Sequence, residues 1–368
     1  MTYTHLSPAH QELRDHTEKV AVMLPAIAGQ GTPGTINRPL LAALSSHGLL
    51  GRLFPETSAM DLCVIREALA RHCTEAETAF ALQGLGTYPI LLAGKQSTVD
   101  EWLPRITAGE AAVGFALTEP GAGSDAASLA LSATPDGDGF RLNGEKVFIS
   151  NAPEADVYSV FARTSDNGTR GITAFAVPGN TSGLSGTRQR LVSPHPIGSL
   201  RFDNAYVPAE AMLGEVDGGW RVAMRTLDMF RPSVGAFALG MGQAALNAAV
   251  AHTKERQAFG RPLRDFQAVS HQLADVATRL QAARLLVHDA AAAYDSGAER
   301  TGHLSAMAKL FATETAQQAV DVAIQVHGAR ALEEGHLLEH LYREVRAPRI
   351  YEGASEIQRE IIARQLYR

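Results

Sequence analysis

Apolar positions recur at three- and four-residue spacing through the first part of the chain, alternate with polar ones in the middle, and return to helical spacing after Asp217-Gly218-Gly219. In the first part, Leu40, Leu41, Leu44 and Leu49-Leu50 fall on one helical side, with Gly48 and Gly51 as stop signals. A second helix is predicted over 61–82, with Leu62, Ile65, Leu69 and Ala76 on one face. Glycines within the apolar run 82–92 fit either close helix packing or the wall of a ligand pocket. From Val113 the period becomes two. Val113, Phe115 and Leu117 alternate, 140–150 contains an Asn143-Gly144 turn, and 157–163 and 171–177 are short β-rich runs. Further turns at 136–139, 167–168 and 178–179 predict a compact β-barrel domain and not a parallel sheet. In the last part Val269, Leu273, Val276 and Leu280, and the apolar positions between 304 and 326, predict long Ala-rich helices in a bundle. The fold class is therefore mostly α with a central β-barrel. The expected domains are 1–112 (helical), 113–217 (β-barrel) and 218–368 (helical bundle).

Composition narrows the function. Hydrophobic residues make up 45% and charged residues 20% of the 368, an ordinary globular balance. A net charge of −6 without a basic run speaks against nucleic acid. The two cysteines, Cys63 and Cys73, show no pairing or metal-ligand pattern and fit a reducing compartment. The N-terminus has neither a basic start nor an apolar run, and no apolar stretch is expected to reach the ~18 residues of a membrane span, so a cytoplasmic protein is expected. Gly240-Met241-Gly242 matches part of a dinucleotide fingerprint. It lies inside a predicted helix with no strand before it, and close helix packing is the reading.

The candidate chemistry centres on 349–359. Glu352 stands between Tyr351, an apolar neighbour, and Gly353, which lets the backbone bend or meet a ligand closely. Ser355, Glu356 and Gln358 read as a helix start, which puts Glu352 on a loop before a helix. A carboxylate sheltered there would have its pKa raised toward neutrality, as a general base acting on a carbon-bound proton requires. Other segments fit the same site. In Thr118-Glu119-Pro120-Gly121-Ala122-Gly123-Ser124-Asp125 the glycines free the backbone for a flat or anionic ligand. In Phe148-Ile149-Ser150 an alternating strand would put Phe148 and Ser150 on one face. Arg256 with Phe259 and Gly260 reads as the cationic end of a helix with a glycine stop. Asp228 and Arg231, three apart on a helix, read either as a surface ion pair or as ligand contacts.

These segments, together with Gln325-Val326-His327-Gly328, stand in the order found in acyl-CoA dehydrogenases, and over nearly its whole length the chain resembles that family. The resemblance implies an N-terminal helical domain, a β-barrel and a C-terminal four-helix bundle, an FAD cofactor, and a homotetramer or homodimer. It places cofactor contacts at Thr118, Phe148, Ile149, Ser150, Arg256, Phe259, Gln325, Gly328, Ala354 and Glu356, with Arg256 meeting the pyrophosphate of a neighbouring subunit's FAD. Substrate contacts fall on Ser124, Asp228, Arg231, Tyr351 and Gly353. Relatives commonly have Trp where Phe148 stands, a second glycine where Ala329 stands, and Thr where Ala354 stands. Some carry the base at the position held here by Phe230, which leaves Glu352 without a rival.

The implied reaction is α,β-dehydrogenation of an acyl thioester on CoA or an acyl carrier protein. Glu352 would take the Cα proton while hydride leaves Cβ for flavin N5, and an electron-transferring flavoprotein would reoxidise the cofactor. Two other functions fit the same fold. One is a flavin oxidase or monooxygenase that uses O2; the other is a non-catalytic carrier-binding protein. No metal site is expected.

Overall fold

The computed structural model describes residues 6–299 and 301–367; residues 1–5, on which part of the N-terminal reading rests, lie outside them. Helices α1 (Pro8–Ala21), α2 (Leu24–Ala28), α3 (Arg38–Ser46), α4 (Ala59–Ala70), α5 (Thr74–Ala93) and α6 (Gln96–Thr107) come first. Strands β1 (Val113–Ala116), β2 (Ser132–Asp136), β3 (Gly139–Ser150), β4 (Val157–Arg163), β5 (Ile172–Pro178), β6 (Leu184–Arg188), β7 (Ile197–Pro208) and β8 (Met212–Leu213) follow. The chain then forms α7 (Gly219–Glu255), a ribbon of β9 (Gln257–Ala258) and β10 (Arg261–Pro262), α8 (Gln267–Asp295), α9 (Gly302–His327), α10 (Leu337–Val345) and α11 (Ser355–Leu366). By contacts the chain groups into two compact units: residues up to Met23 with Ser58–Glu77 and Asp228 onward, and Leu24–Thr57 with Thr78–Leu227.

In the first unit α7, α8 and α9 pack through small residues. A Cβ on Gly242 would lie 2.8 Å from Leu280 and one on Gly235 2.8 Å from Val287, while one on Gly240 would lie 2.6 Å from Ala70 of α4. The glycines of 240–242 thus serve helix approach, as read from the sequence. Asp295 at the end of α8 caps α4, accepting from the N–H groups of Ala59 at 2.7 Å and Met60 at 3.0 Å. The single helix expected over 61–82 is two helices, α4 and α5, broken at 71–73. The break has a physical reason: in a straight helix Arg66 and Glu77 would be roughly 16 Å apart along the axis, yet here they form a buried ion pair. α7 corrects a second expectation. It carries an 18-residue window of mean hydropathy 1.4, long and apolar enough to cross a membrane, but 78% of that window is buried inside the protein. It is a core helix.

In the second unit the strands form one sheet in the order β6-β7-β3-β2-β4-β5-β8, with β1 beside β4. The pairing is antiparallel except for β1 with β4 and the first residue of β2 with the end of β4. No pairing of β6 with β8 is recorded among the described residues, so the structure shows a central sheet domain without showing a closed barrel. Asn143-Gly144 is not a turn. It sits inside β3 at a register shift, with β2 and β7 paired on either side and Asn143 Oδ1 accepting from Asn204 N at 2.7 Å. Gln83 and Gly86 of α5 hold the sheet. Gln83 donates to Ala111 O at 2.7 Å and accepts from Val113 N at 3.2 Å, and a Cβ on Gly86 would lie 2.7 Å from Val113. For Gly86 the close-packing reading of 82–92 holds.

Candidate active site

Glu352 lies in the bend between α10 and α11, as the sequence predicts, with its backbone in the left-handed region at φ 51. For a non-glycine residue that conformation costs on the order of 1–3 kcal/mol and persists only where neighbours impose it. The neighbours are identifiable. Gln358 Nε2 donates to Gly353 O at 2.8 Å and Glu352 O at 3.3 Å, Arg231 Nε donates to Glu352 O at 3.4 Å, and Lys309 Nζ donates to Tyr351 O at 2.6 Å and also to Gly353 O. Gly353 has φ 93, and a Cβ there would sit 2.5 Å from Gln358 Nε2. Gly353→Ala is therefore expected to lower stability by about 1–3 kcal/mol, read as a fall in Tm, with loss of activity because the bend must move.

The carboxyl group of Glu352 is short of partners. The residue is half-buried, but its Oε2 is shut off from solvent with no hydrogen-bond partner. Burial pushes its pKa above the ordinary carboxylate range, against the opposing charges of Arg66, Lys309 and Arg231. Arg66 and Arg231 carry carboxylates of their own. Arg66 pairs with Glu77 and donates to Ser233 Oγ at 2.7 Å, and Arg231 pairs with Asp228 at 2.7 Å. The ion pair expected of Asp228 and Arg231 forms, but it is a surface pair only at its acidic end: the Asp228 side chain is 37% exposed, whereas Arg231 is 7% exposed and its Nε faces the Glu352 loop. Tyr351 is half-buried, and burial pushes its phenol well above the usual range. Phe230, at the position of the alternative base, is fully buried.

The helix start after this loop differs from the capping pattern read in sequence. Ala354 is the N-cap and supplies no side-chain bond. The hydroxyl of Ser355 is spent on Glu314 Oε1 at 2.8 Å, Gln358 reaches back to the loop carbonyls, and Glu356 is exposed beside Arg359. Sequence reasoning missed Lys309 and Gln358 as supports of the bend, and Arg66 as a charge that acts on the Glu352 carboxyl. The two cations sit among apolar residues of α9 and α4, and a charge at an otherwise apolar helix position was the available signal.

In the second unit a buried ion pair holds the other candidate segment. Lys146 Nζ, with no exposed surface, donates to Glu119 Oε1 at 2.8 Å and Leu117 O at 3.0 Å. Glu119 also accepts from Ala130 N at 2.6 Å and Leu131 N at 2.9 Å. Val147 N donates to Thr118 O at 3.0 Å, so Thr118 and the segment around Phe148 and Ser150 are brought together. Above this loop there is open space: a Cβ on Gly121 or Gly123 would meet nothing within 4 Å, and Ser124 is exposed. Phe148 is 56% exposed and Ser150 half-buried, but regular alternation does not put them there. Phe148 has φ 55 at a register shift in β3. The side chain of Ile149 belongs to the sheet core, which leaves only its backbone for a ligand.

Arg256 stands at the end of α7, its N–H bonded to His252 O at 2.8 Å, as read from the sequence, but the glycine is not the helix stop. Phe259, at φ 52 and 96% exposed, and Gly260, at φ 78, are the two turn residues of the β9–β10 ribbon, which follows the end of α7. His252 of α7 stacks on His327 of α9 at 4.2 Å, which brings the end of α7 close to the end of α9; Arg256, Gln325 and Gly328 are all exposed. Among the described residues no cluster of His, Cys, Asp and Glu could hold a metal, and both cysteines are free and buried.

Three sequence models of one family match consecutive stretches: the acyl-CoA dehydrogenase N-terminal domain over 7–110, its middle domain over 114–205 and its C-terminal domain over 217–367. Cyclohexane-1-carbonyl-CoA dehydrogenase of Geobacter metallireducens is 36% identical over 352 residues, 93% of this chain and 92% of that one. The caffeyl-CoA reductase-Etf complex subunit CarC of Acetobacterium woodii is 35% identical over 348 residues, 90% of each. The solved butyryl-CoA dehydrogenase of Megasphaera elsdenii superposes with a TM-score of 0.93 at 32% identity, covering 100% of both chains. The chain belongs to the acyl-CoA dehydrogenase family, FAD-dependent oxidoreductases that act on the CH–CH bond of acyl-CoA thioesters.

Proposed function

We propose that Glu352 is the base that removes the Cα proton of a saturated acyl thioester. The observation that carries this reading is the buried Oε2 with no partner of its own: a desolvated carboxylate aimed at no protein donor is poised for an external proton. A bound FAD would supply the acceptor for the hydride of Cβ. The residues present fit such a group. The open backbone over Gly121 and Gly123, the exposed ring of Phe148 and the hydroxyls of Thr118 and Ser150 suit the flavin, and the guanidinium of Arg256 with Gln325 and the backbone of Gly328 suits the diphosphate and adenosine. Phe259, Ile149, Ala354 and Glu356 are assigned to the same cofactor on the resemblance. Asp228, Arg231, Tyr351, Gly353 and Ser124 are assigned to the thioester arm.

The thioester is on CoA or on an acyl carrier protein, since the reacting carbons are the same. The exposed Phe259 ribbon with Arg256 supports a homodimer or homotetramer in which neighbouring subunits share the cofactor. A relative named for its Etf complex supports an electron-transferring flavoprotein as redox partner. The residue spans of the three family models support domains at 1–112, 113–217 and 218–368. Buried free thiols support a cytoplasmic setting. That same relative's name as a reductase favours a second reading of direction: microscopic reversibility lets protonated Glu352 return the proton to Cα of an enoyl thioester.

The test is the pH dependence of anaerobic flavin reduction by a saturated acyl-CoA. The base works as carboxylate, and burial raises its pKa. The rate is expected to climb with pH through one ionisation above the ordinary carboxylate range of about 4.3. A rate that shows no ionisation above that range would remove Glu352 from the role.

A further inference from the structure

Lys309 is a charge for which the reaction, as read above, has no use. It lies in the middle of α9, 1% exposed, among Ala306, Ala308 and Ala312. Arg66 and Arg231 each sit against a carboxylate of their own, Glu77 and Asp228. Lys309 does not: among the described residues it forms no ion pair, and its hydrogen-bond acceptors are the carbonyls of Tyr351, at 2.6 Å, and Gly353. Those carbonyls flank Glu352 on both sides, and Glu352 is the one acid whose charge favours the Lys309 ammonium.

We propose that Lys309 is the positioning residue of Glu352: its ammonium grips the carbonyl before the base and the carbonyl after it, and so fixes the left-handed turn from which the carboxyl group projects. The chemistry of the contact explains the residue type. Two divergent carbonyls two residues apart need a compact donor with several protons on a flexible stem, which an ammonium supplies and a planar guanidinium does not. The positive charge also sits behind the carboxylate, where it offsets part of the desolvation that favours the neutral acid. The other ionisable groups around this loop among the described residues are Arg66, Glu77, Arg231, Asp228, Glu344, the Glu314–Arg349 pair and the Tyr351 phenol. Burial lowers the Lys309 pKa to about 8, so the ammonium form prevails at neutral pH.

The inference rests on Glu352 being the base, and the experiment keeps the two apart. FAD-loaded wild type, Lys309→Met and Lys309→Gln are mixed anaerobically with a saturated acyl-CoA over a range of pH, and the limiting rate per bound flavin and the half-saturating concentration are recorded. Lys309→Met is expected to lower the limiting rate roughly 100-fold, the cost of a displaced catalytic group, with little change in half-saturation. Its pH profile should move to higher pH, because the base has lost a neighbouring positive charge. Lys309→Gln keeps N–H donors without the charge. It should recover part of the rate and retain the alkaline displacement. If the Met variant does not fold, the Gln variant carries the test through that displacement. A limiting rate per flavin and a pH profile both at wild-type values, even with reduced FAD content or Tm, overturn the proposal while leaving the base reading untouched. Undiminished reduction by Glu352→Gln would instead remove the base reading, and this inference with it.

Discussion

Glu352→Gln is expected to lower the anaerobic rate of flavin reduction by an acyl-CoA by about 10²–10⁴-fold, the range that a positioned general base supplies. FAD content and substrate affinity should stay close to wild type. The substitution is nearly isosteric, and the bonds that shape the loop run through backbone carbonyls: Lys309 to Tyr351 and Gly353, Gln358 to Gly353 and Glu352, Arg231 to Glu352. None of them uses the Glu352 carboxyl. Removing the acid therefore removes chemistry and leaves the turn in place. The change even relieves the protein of a desolvated carboxylate, so Tm should hold or rise. Stopped-flow loss of the oxidised flavin absorbance measures the first effect and thermal melting the second.

The second large effect is expected in the sheet domain. Lys146→Met leaves the Glu119 carboxylate without its cation, and breaking a buried pair from one side costs about 3–5 kcal/mol. At 2–4 °C per kcal/mol for a unit of this size, that is a fall in Tm on the order of 10 °C. FAD retention should fall with it, because the pair pins the 118–131 loop to β3 and the Val147–Thr118 bond depends on that register. Adding Glu119→Gln to Lys146→Met should restore much of the loss. Glutamine removes the buried charge and keeps an acceptor for the backbone N–H of Leu131, bonded at 2.9 Å in the native loop, while the bond from Ala130 N is lost. If the double variant is no more stable than the single one, the pair is not acting through its charge.

The large divisions of the fold were legible because they are periodic. The change from helical spacing to alternation and back marks the passage from α6 to β1 and from β8 to α7, and the strands over 157–163 and 172–178 coincide with runs rich in β-branched and aromatic residues. What failed were local signals overruled from a distance. Asn143-Gly144 has the composition of a hairpin turn, but with a strand on each side of β3 the dipeptide is drawn into the ladder as a bulge. The 61–82 pattern is continuous, but the Arg66–Glu77 pair needs a corner in it.

The candidate site divides the same way. Glu352, Gly353 and the helix after them stand together in sequence and could be read together. Their supports could not. Lys309 lies in another helix, and nothing adjacent to it announces a loop carbonyl as its partner. Ser355 and Gln358 suggested a cap by type and spacing, yet Ser355 is claimed by Glu314 and Gln358 by the bend. Asp228 and Arg231 gave the spacing of an ion pair correctly, while only the packing around Arg231 shows that its cationic end is buried.

The central claim is that Glu352 takes a proton from Cα, and proton exchange tests it apart from the hydride step. A thioester such as 3,3-dimethylbutyryl-CoA has acidic Cα hydrogens but none on Cβ, so it can lose a proton and cannot be desaturated. Incubated with the FAD-loaded enzyme in D2O and followed by NMR, its Cα hydrogens should exchange with wild type, and exchange should fall to near the uncatalysed rate with Glu352→Gln. Equal exchange with both proteins would contradict the assignment of Glu352 as the base.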